Sequence, residues 1–173
     1  MKKFFAVAIL ALATLTMNAQ DFKKFRFGPT AGMTVSKVTD LGAKFGVGFQ
    51  AGVRADYNFN DNFYLGSAFM LAQKGMKDQA VGYLEIPINV GYRYNFNDNF
   101  SMFGEAGPYV GIGLYGKNSY FDAAKRFDMG IGFALGTEIS KFQIRAGYEY
   151  GLTYVFPGGA HNSSIFFGLA YMF

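Results

Sequence analysis

From Phe25 onward, apolar and polar residues alternate with a period of two. Between Lys44 and Asn58 (KFGVGFQAGVRADYN) one parity reads Phe45, Val47, Phe49, Ala51, Val53, Ala55, Tyr57, and the other Lys44, Gly46, Gly48, Gln50, Gly52, Arg54, Asp56. Successive side chains of a strand point to opposite faces, so this period predicts a β-strand with one apolar face. The same sorting predicts strands over Phe25–Val35, Phe63–Leu71, Leu84–Phe96, Phe100–Leu114, Phe127–Ile139, Phe142–Tyr154 and Ile165–Phe173. With Lys44–Asn58 these make eight strands, several of them longer than the five or six residues usual in soluble sheets.

The apolar parity of these segments contains no Asp, Glu, Lys or Arg, whereas the other parity holds Arg26, Arg54, Asp56, Glu85, Arg93, Glu105, Asp128, Glu138, Arg145 and Glu149 among many glycines. A soluble ligand-binding barrel would turn its apolar face inward. Here the apolar face is too extensive to meet water, so the charged face must be the inside. Strands in hydrocarbon have to close on themselves, which predicts an all-β, eight-stranded, antiparallel, up-and-down transmembrane barrel with a lumen filled by polar side chains.

The heptapeptide YNFNDNF occurs twice, at Tyr57–Phe63 and Tyr94–Phe100, each time between predicted strands. Asn and Asp tolerate turn geometry and bond their own backbone, so Asn-Asp-Asn is expected to make the turn, with Tyr and Phe at the membrane interface. Ser140-Lys141 is a third short connection. The alternate connections, Thr39–Ala43, Gly75–Ala80, Gly116–Lys125 and Pro157–Asn162, are longer and are expected at the outer end, leaving both termini periplasmic. Pro29, Pro87 and Pro108 fall inside strands, where they remove a ladder donor; bulges are expected there.

Composition supports this picture. Aromatics make up 19% of the chain and glycine 23 residues, which disfavours helix and suits strands and tight turns. Cysteine is absent and there is one histidine, so no disulfide, metal or cofactor site is expected. Met1-Lys2-Lys3, the apolar run Phe4–Leu15 and the small residue Ala19 read as a cleaved secretory signal over residues 1–19, too short to span a bilayer as a helix. The barrel domain is then 20–173. Loss of Lys2 and Lys3 would bring the formal charge from +4 to about +2, no argument for nucleic acid.

The signal, the strand pattern, Tyr83-Leu-Glu-Ile-Pro-Ile88 and the aromatic C-terminus together resemble the PorT-like "porin family" outer-membrane barrels of Bacteroidetes, with OmpX-like and OmpA-like barrels as similar folds. The resemblance spans Gln20–Phe173 and implies a Gram-negative outer-membrane protein with no shared catalytic residues; some members are linked to secretion systems. The ending with Gly168, Tyr171 and Phe173 resembles the signal read by the barrel-assembly machinery, a partner during insertion into outer-membrane lipid.

Three sets of residues are functional candidates. Arg26, Arg54, Arg93 and Arg145 are expected to pair with Glu85, Glu105, Glu138 and Glu149 in a lumen just wide enough for side chains. A proton or ion path through them is the alternative, as is a narrow porin. Rim positions Lys44, Lys74 and Asp128 can be solvated instead of paired. Tyr120 and Phe121, in the longest loop, are candidates for partner contact. His161-Asn-Ser163 resembles the His-x-Ser arrangement of lipid A deacylase barrels, but no Asp or Glu follows Ser163 to orient the imidazole. The expected function is therefore non-enzymatic, with a lipid-modifying enzyme as the alternative.

Overall fold

The computed structural model of the chain describes residues 24–39, 45–76, 79–116, 126–154 and 159–173. The segment 1–19 expected to be a signal, Lys44, Tyr120 and Phe121 lie outside the described residues. Eight strands follow in order: β1 (Phe25–Val38), β2 (Gly46–Asn58), β3 (Phe63–Met76), β4 (Gln79–Asn97), β5 (Phe100–Gly116), β6 (Phe127–Ile139), β7 (Phe142–Gly151) and β8 (Asn162–Tyr171). Each pairs antiparallel with the next, and β8 pairs with β1 from Thr30↔Ala170 to Val38↔Asn162, closing the barrel. Closure leaves no strand edge without a partner.

The two parities take opposite sides of the wall. Phe49, Phe133 and Leu135 point outward and are 65%, 56% and 68% exposed, while Arg54, Asp56 and Gln143 point inward with no exposure. So many large apolar side chains bared around a whole wall suit hydrocarbon and not water.

Both copies of the repeat turn the chain at the end where β1 begins and β8 finishes, the end of the described termini. In each, the first Asn of Asn-Asp-Asn accepts a bond from the backbone two residues on: Asn60 Oδ1 from the Asn62 N–H at 2.9 Å, and Asn97 Oδ1 from the Asn99 N–H at 2.9 Å. In each, the preceding Tyr and Phe meet edge to face, Tyr57 with Phe59 at 5.5 Å and Tyr94 with Phe96 at 4.9 Å. Phe63–Tyr92, Phe96–Phe100, Phe142–Tyr171, Tyr171–Phe173 and Phe27–Phe173 continue this aromatic girdle. The copies are not equivalent: the first loop runs 59–62, while β4 extends to Asn97 and leaves Asp98-Asn99 as the second.

The prolines do not bulge the strands. Pairing keeps one register through Pro29↔Val53, on both sides of Pro87 and through Pro108↔Ile131. Next to Pro87 and Pro108 the ladder instead skips two rungs, from Ser67↔Ile88 to Met70↔Glu85 and from Pro87↔Tyr109 to Val90↔Ala106. The missing N–H thus removes local hydrogen bonds without displacing the strand, and Ser67 Oγ donates to the Pro87 carbonyl at 2.8 Å. The register shifts lie elsewhere, at Gly82/Tyr83 and Asn95/Asn97.

Strand ends differ from the alternation-based bounds where polar residues interrupt the pattern. β1 runs on to Val38, which brings Lys37 onto the outward face. β3 and β4 extend to Met76 and Gln79, β7 stops at Gly151, and β8 begins at Asn162.

Candidate functional site

The inward residues form three levels of ion pairs and hydrogen bonds. Nearest the termini, Arg26 grips Glu138 with both guanidinium nitrogens, at 2.5 and 3.0 Å, and lies 3.5 Å from Asp56. Arg93 stands 3.5 Å from Asp56 and 3.6 Å from Glu138, donates to Asn58 Oδ1 at 3.0 Å, and covers the Tyr64 ring at 4.6 Å. Gln143 Nε2 donates to both Asp56 and Glu138, at 3.1 and 3.0 Å.

The middle level centres on Glu105. Arg54 donates to both of its oxygens, at 3.1 and 2.5 Å, and Arg145 to Oε1 at 3.0 Å. The Tyr64 hydroxyl donates to Oε2 at 2.9 Å and Asn89 Nδ2 to Oε1 at 3.3 Å. Arg54 also pairs with Asp56 at 2.9 Å, joining this level to the one below. These donors come from β2, β3, β4 and β7, so one carboxylate on β5 ties walls on different sides of the lumen. A void lined by Pro87, Asn89, Gly107, Tyr109 and Glu149 measures about 10 Å³, room for about one water.

At the third level Lys74 pairs with Glu85 and, at 2.6 Å, with Glu149, its ammonium 4.3 Å from the Tyr109 ring centroid. Asp128 accepts from Asn162 Nδ2 at 2.8 Å, Thr153 Oγ1 at 3.1 Å and the Tyr109 hydroxyl at 3.3 Å. Lys74 and Asp128 are thus buried and partnered, not solvated. Strand extension puts Lys74 inside the wall, and Thr153 and Asn162 supply partners that charge counting does not reveal.

Glycines make room for the large inward rings. A Cβ on Gly91 would lie 2.1 Å from the Tyr64 ring, and one on Gly136 would lie 2.4 Å from the Phe103 ring. The C-terminal residues complete the wall: Gly168 lies opposite Arg145, Tyr171 opposite Phe142, and the Phe173 N–H donates to the Phe27 carbonyl at 2.9 Å.

The structure keeps the side chains of His161 and Ser163 in separate contacts. The Ser163 hydroxyl shares a 3.0 Å hydrogen bond with Tyr148, and the His161 ring stacks on Tyr150 at 5.4 Å. Among the described residues no cluster of His, Cys, Asp or Glu is arranged to hold a metal ion.

The family model described as "Outer membrane protein beta-barrel domain" matches residues 18–157. Among solved structures, Neisserial surface protein A is similar at 15% identity and TM-score 0.61, covering 87% of this chain and 97% of its own. The N-terminal barrel domain of OprF from Pseudomonas aeruginosa is similar at 12% identity and TM-score 0.51, covering 86% and 98%. Ail, the attachment invasion locus protein of Yersinia pestis, in complex with the heparin analogue sucrose octasulfate, is similar at 18% identity and TM-score 0.50, covering 87% and 99%. At these identities the likeness is one of fold. No curated protein matches the sequence.

Proposed function

The chain belongs to the outer membrane protein beta-barrel domain family, and on that premise we propose a non-enzymatic integral barrel with a plugged lumen. It serves the envelope as a structural wall and presents the connections at the end opposite its termini to a partner or ligand. The observation that carries this reading is the Glu105 hub, where Arg54, Arg145, Tyr64 and Asn89 converge across the lumen beside a void of about 10 Å³. Buried charges so paired fix the surrounding strands and leave no continuous water column.

In this reading residues 1–19 are an export signal, both termini are periplasmic, and the chain is of the PorT-like Bacteroidetes type. The loop containing Tyr120 and Phe121 then faces the cell exterior, and the barrel-assembly machinery reads the ending at Gly168, Tyr171 and Phe173. The hydrogen bond between Ser163 and Tyr148 supports a non-enzymatic role, because the hydroxyl a nucleophile would need is held by a phenol and not by the imidazole. Proteoliposomes carrying the purified barrel should swell in small sugars no faster than empty vesicles, and lipid A mass spectra should be identical with and without the gene. Solute-dependent swelling would contradict the plug; a changed acylation pattern would contradict the non-enzymatic role.

A further inference from the structure

The outward face at the end opposite the termini carries a polar patch that a plugged barrel does not require. Lys37 of β1 lies opposite Ser163 of β8, and Ser163 lies opposite Tyr150 of β7. One step toward the termini the same face is apolar again, with Val35 opposite Ile165. The patch therefore sits where the hydrocarbon-facing wall ends.

His161 is firmly placed beside it. The Thr39 N–H donates to the His161 carbonyl at 2.9 Å, and the His161 N–H donates to the Thr39 hydroxyl at 3.0 Å. The imidazole stacks on Tyr150 and leans on Tyr154 at 4.8 Å. Its Nδ1 is sealed without a hydrogen-bond partner. Buried in this way, Nδ1 has no group of the chain to bond and is shut off from one outside it. Any hydrogen bond from the ring to a group outside the chain then runs through Nε2, which donates when it carries the proton.

The neighbours are also donors. Tyr148 and Ser163 share one hydrogen bond at 3.0 Å, and two hydroxyls sharing one bond retain a second proton to donate. The Lys37 ammonium lies 5.3 Å from the Phe45 ring centroid and, among the described residues, pairs with no carboxylate. An ammonium, an imidazole and a hydroxyl, with no acid opposing them among the described residues, match an anion rich in acceptors. At the rim of a hydrocarbon belt, flanked by tyrosines, the anion within reach is a lipid phosphate.

We propose that Lys37, His161 and the Tyr148–Ser163 pair form a docking site for the phosphate of an anionic lipid headgroup on the outer wall at the loop end. The site rests on the barrel spanning a bilayer and is independent of whether the lumen conducts.

His161 is the chain's single histidine, so its imidazole resonances report on this site alone. The full barrel is placed in nanodiscs of phosphatidylcholine with increasing phosphatidylglycerol, and the Nε2 signal is followed by NMR. A saturable shift is expected, weakened about tenfold by Lys37→Gln, as befits a charge-assisted hydrogen bond. Ser163→Ala, which leaves the charge in place, should weaken it less, and Lys141→Gln at the opposite end should leave it unchanged. An equal titration in Lys37→Gln would overturn the site. So would the same shift produced by inorganic phosphate in pure phosphatidylcholine discs, since the ligand would then be the free ion. Channel recordings on the same samples report the lumen separately, so failure of one reading does not pass for failure of the other.

Discussion

Glu105 accepts hydrogen bonds from four side chains, and its removal should be the costliest single change in the lumen. Glu105→Ala leaves Arg145 without its carboxylate and Arg54 with Asp56 alone, and is expected to lower unfolding stability in lipid by about 3–5 kcal/mol. Adding Arg145→Met to that variant should cost less than the two single changes summed, because the charge left stranded by the first is removed by the second. Reversible urea unfolding of the four proteins measures both. A gentler test lies in the two-residue turn between β6 and β7, where Ser140 holds a positive φ of 55°. Ser140→Gly relieves that conformation and should stabilise the barrel by about 1 kcal/mol in the same assay. The inward parity of Arg26, Arg54, Glu105, Glu138 and Arg145 was legible in the sequence, since period two assigns faces without reference to partners. Which acid met which base was not: Glu105 and its donors are brought together by closure and stagger of the barrel, and Tyr64, Asn89 and Gln143 carry no charge to mark them.

At the scale of strands, the alternation located all eight elements but misplaced the ends where polar residues continue a strand. β1 passes Val35 because Ser36, Lys37 and Val38 still pair with Gly46 of β2 or with β8, and Lys37 escaped notice as an outward residue because it breaks the apolar parity. β4 is 19 residues long and β7 only 10, so the wall stands taller on one side than the roughly 9–11 residues a membrane strand needs. Face assignment is tested in mid-strand β6. Phe133→Arg sets a charge on the hydrocarbon face and should cost about 2–4 kcal/mol. On the inner face the glycines are graded by what stands over them. A Cβ at Gly132 meets the flexible Glu149 Cγ at 3.1 Å, while one at Gly91 meets the Tyr64 ring at 2.1 Å. Gly91→Ala should therefore destabilise the barrel markedly more than Gly132→Ala, by pushing the Tyr64 hydroxyl off Glu105. Equal effects would mean that Tyr64 does not pack against Gly91.

For the whole molecule, the family places the closed, apolar-walled barrel in the outer membrane, and in the proposed reading its paired interior sets what can pass. Arg26, Arg54, Lys74, Arg93 and Arg145 are each within ion-pair distance of a carboxylate, and the two levels nearer the termini connect through Asp56. Ions crossing this lumen would have to part those pairs at several depths in turn. Single-channel recording of the purified wild-type barrel in a planar bilayer tests this most directly. A silent membrane, with no reproducible conductance steps at either polarity, is the expected result; stable, well-defined channels from the folded monomer would contradict the plugged lumen.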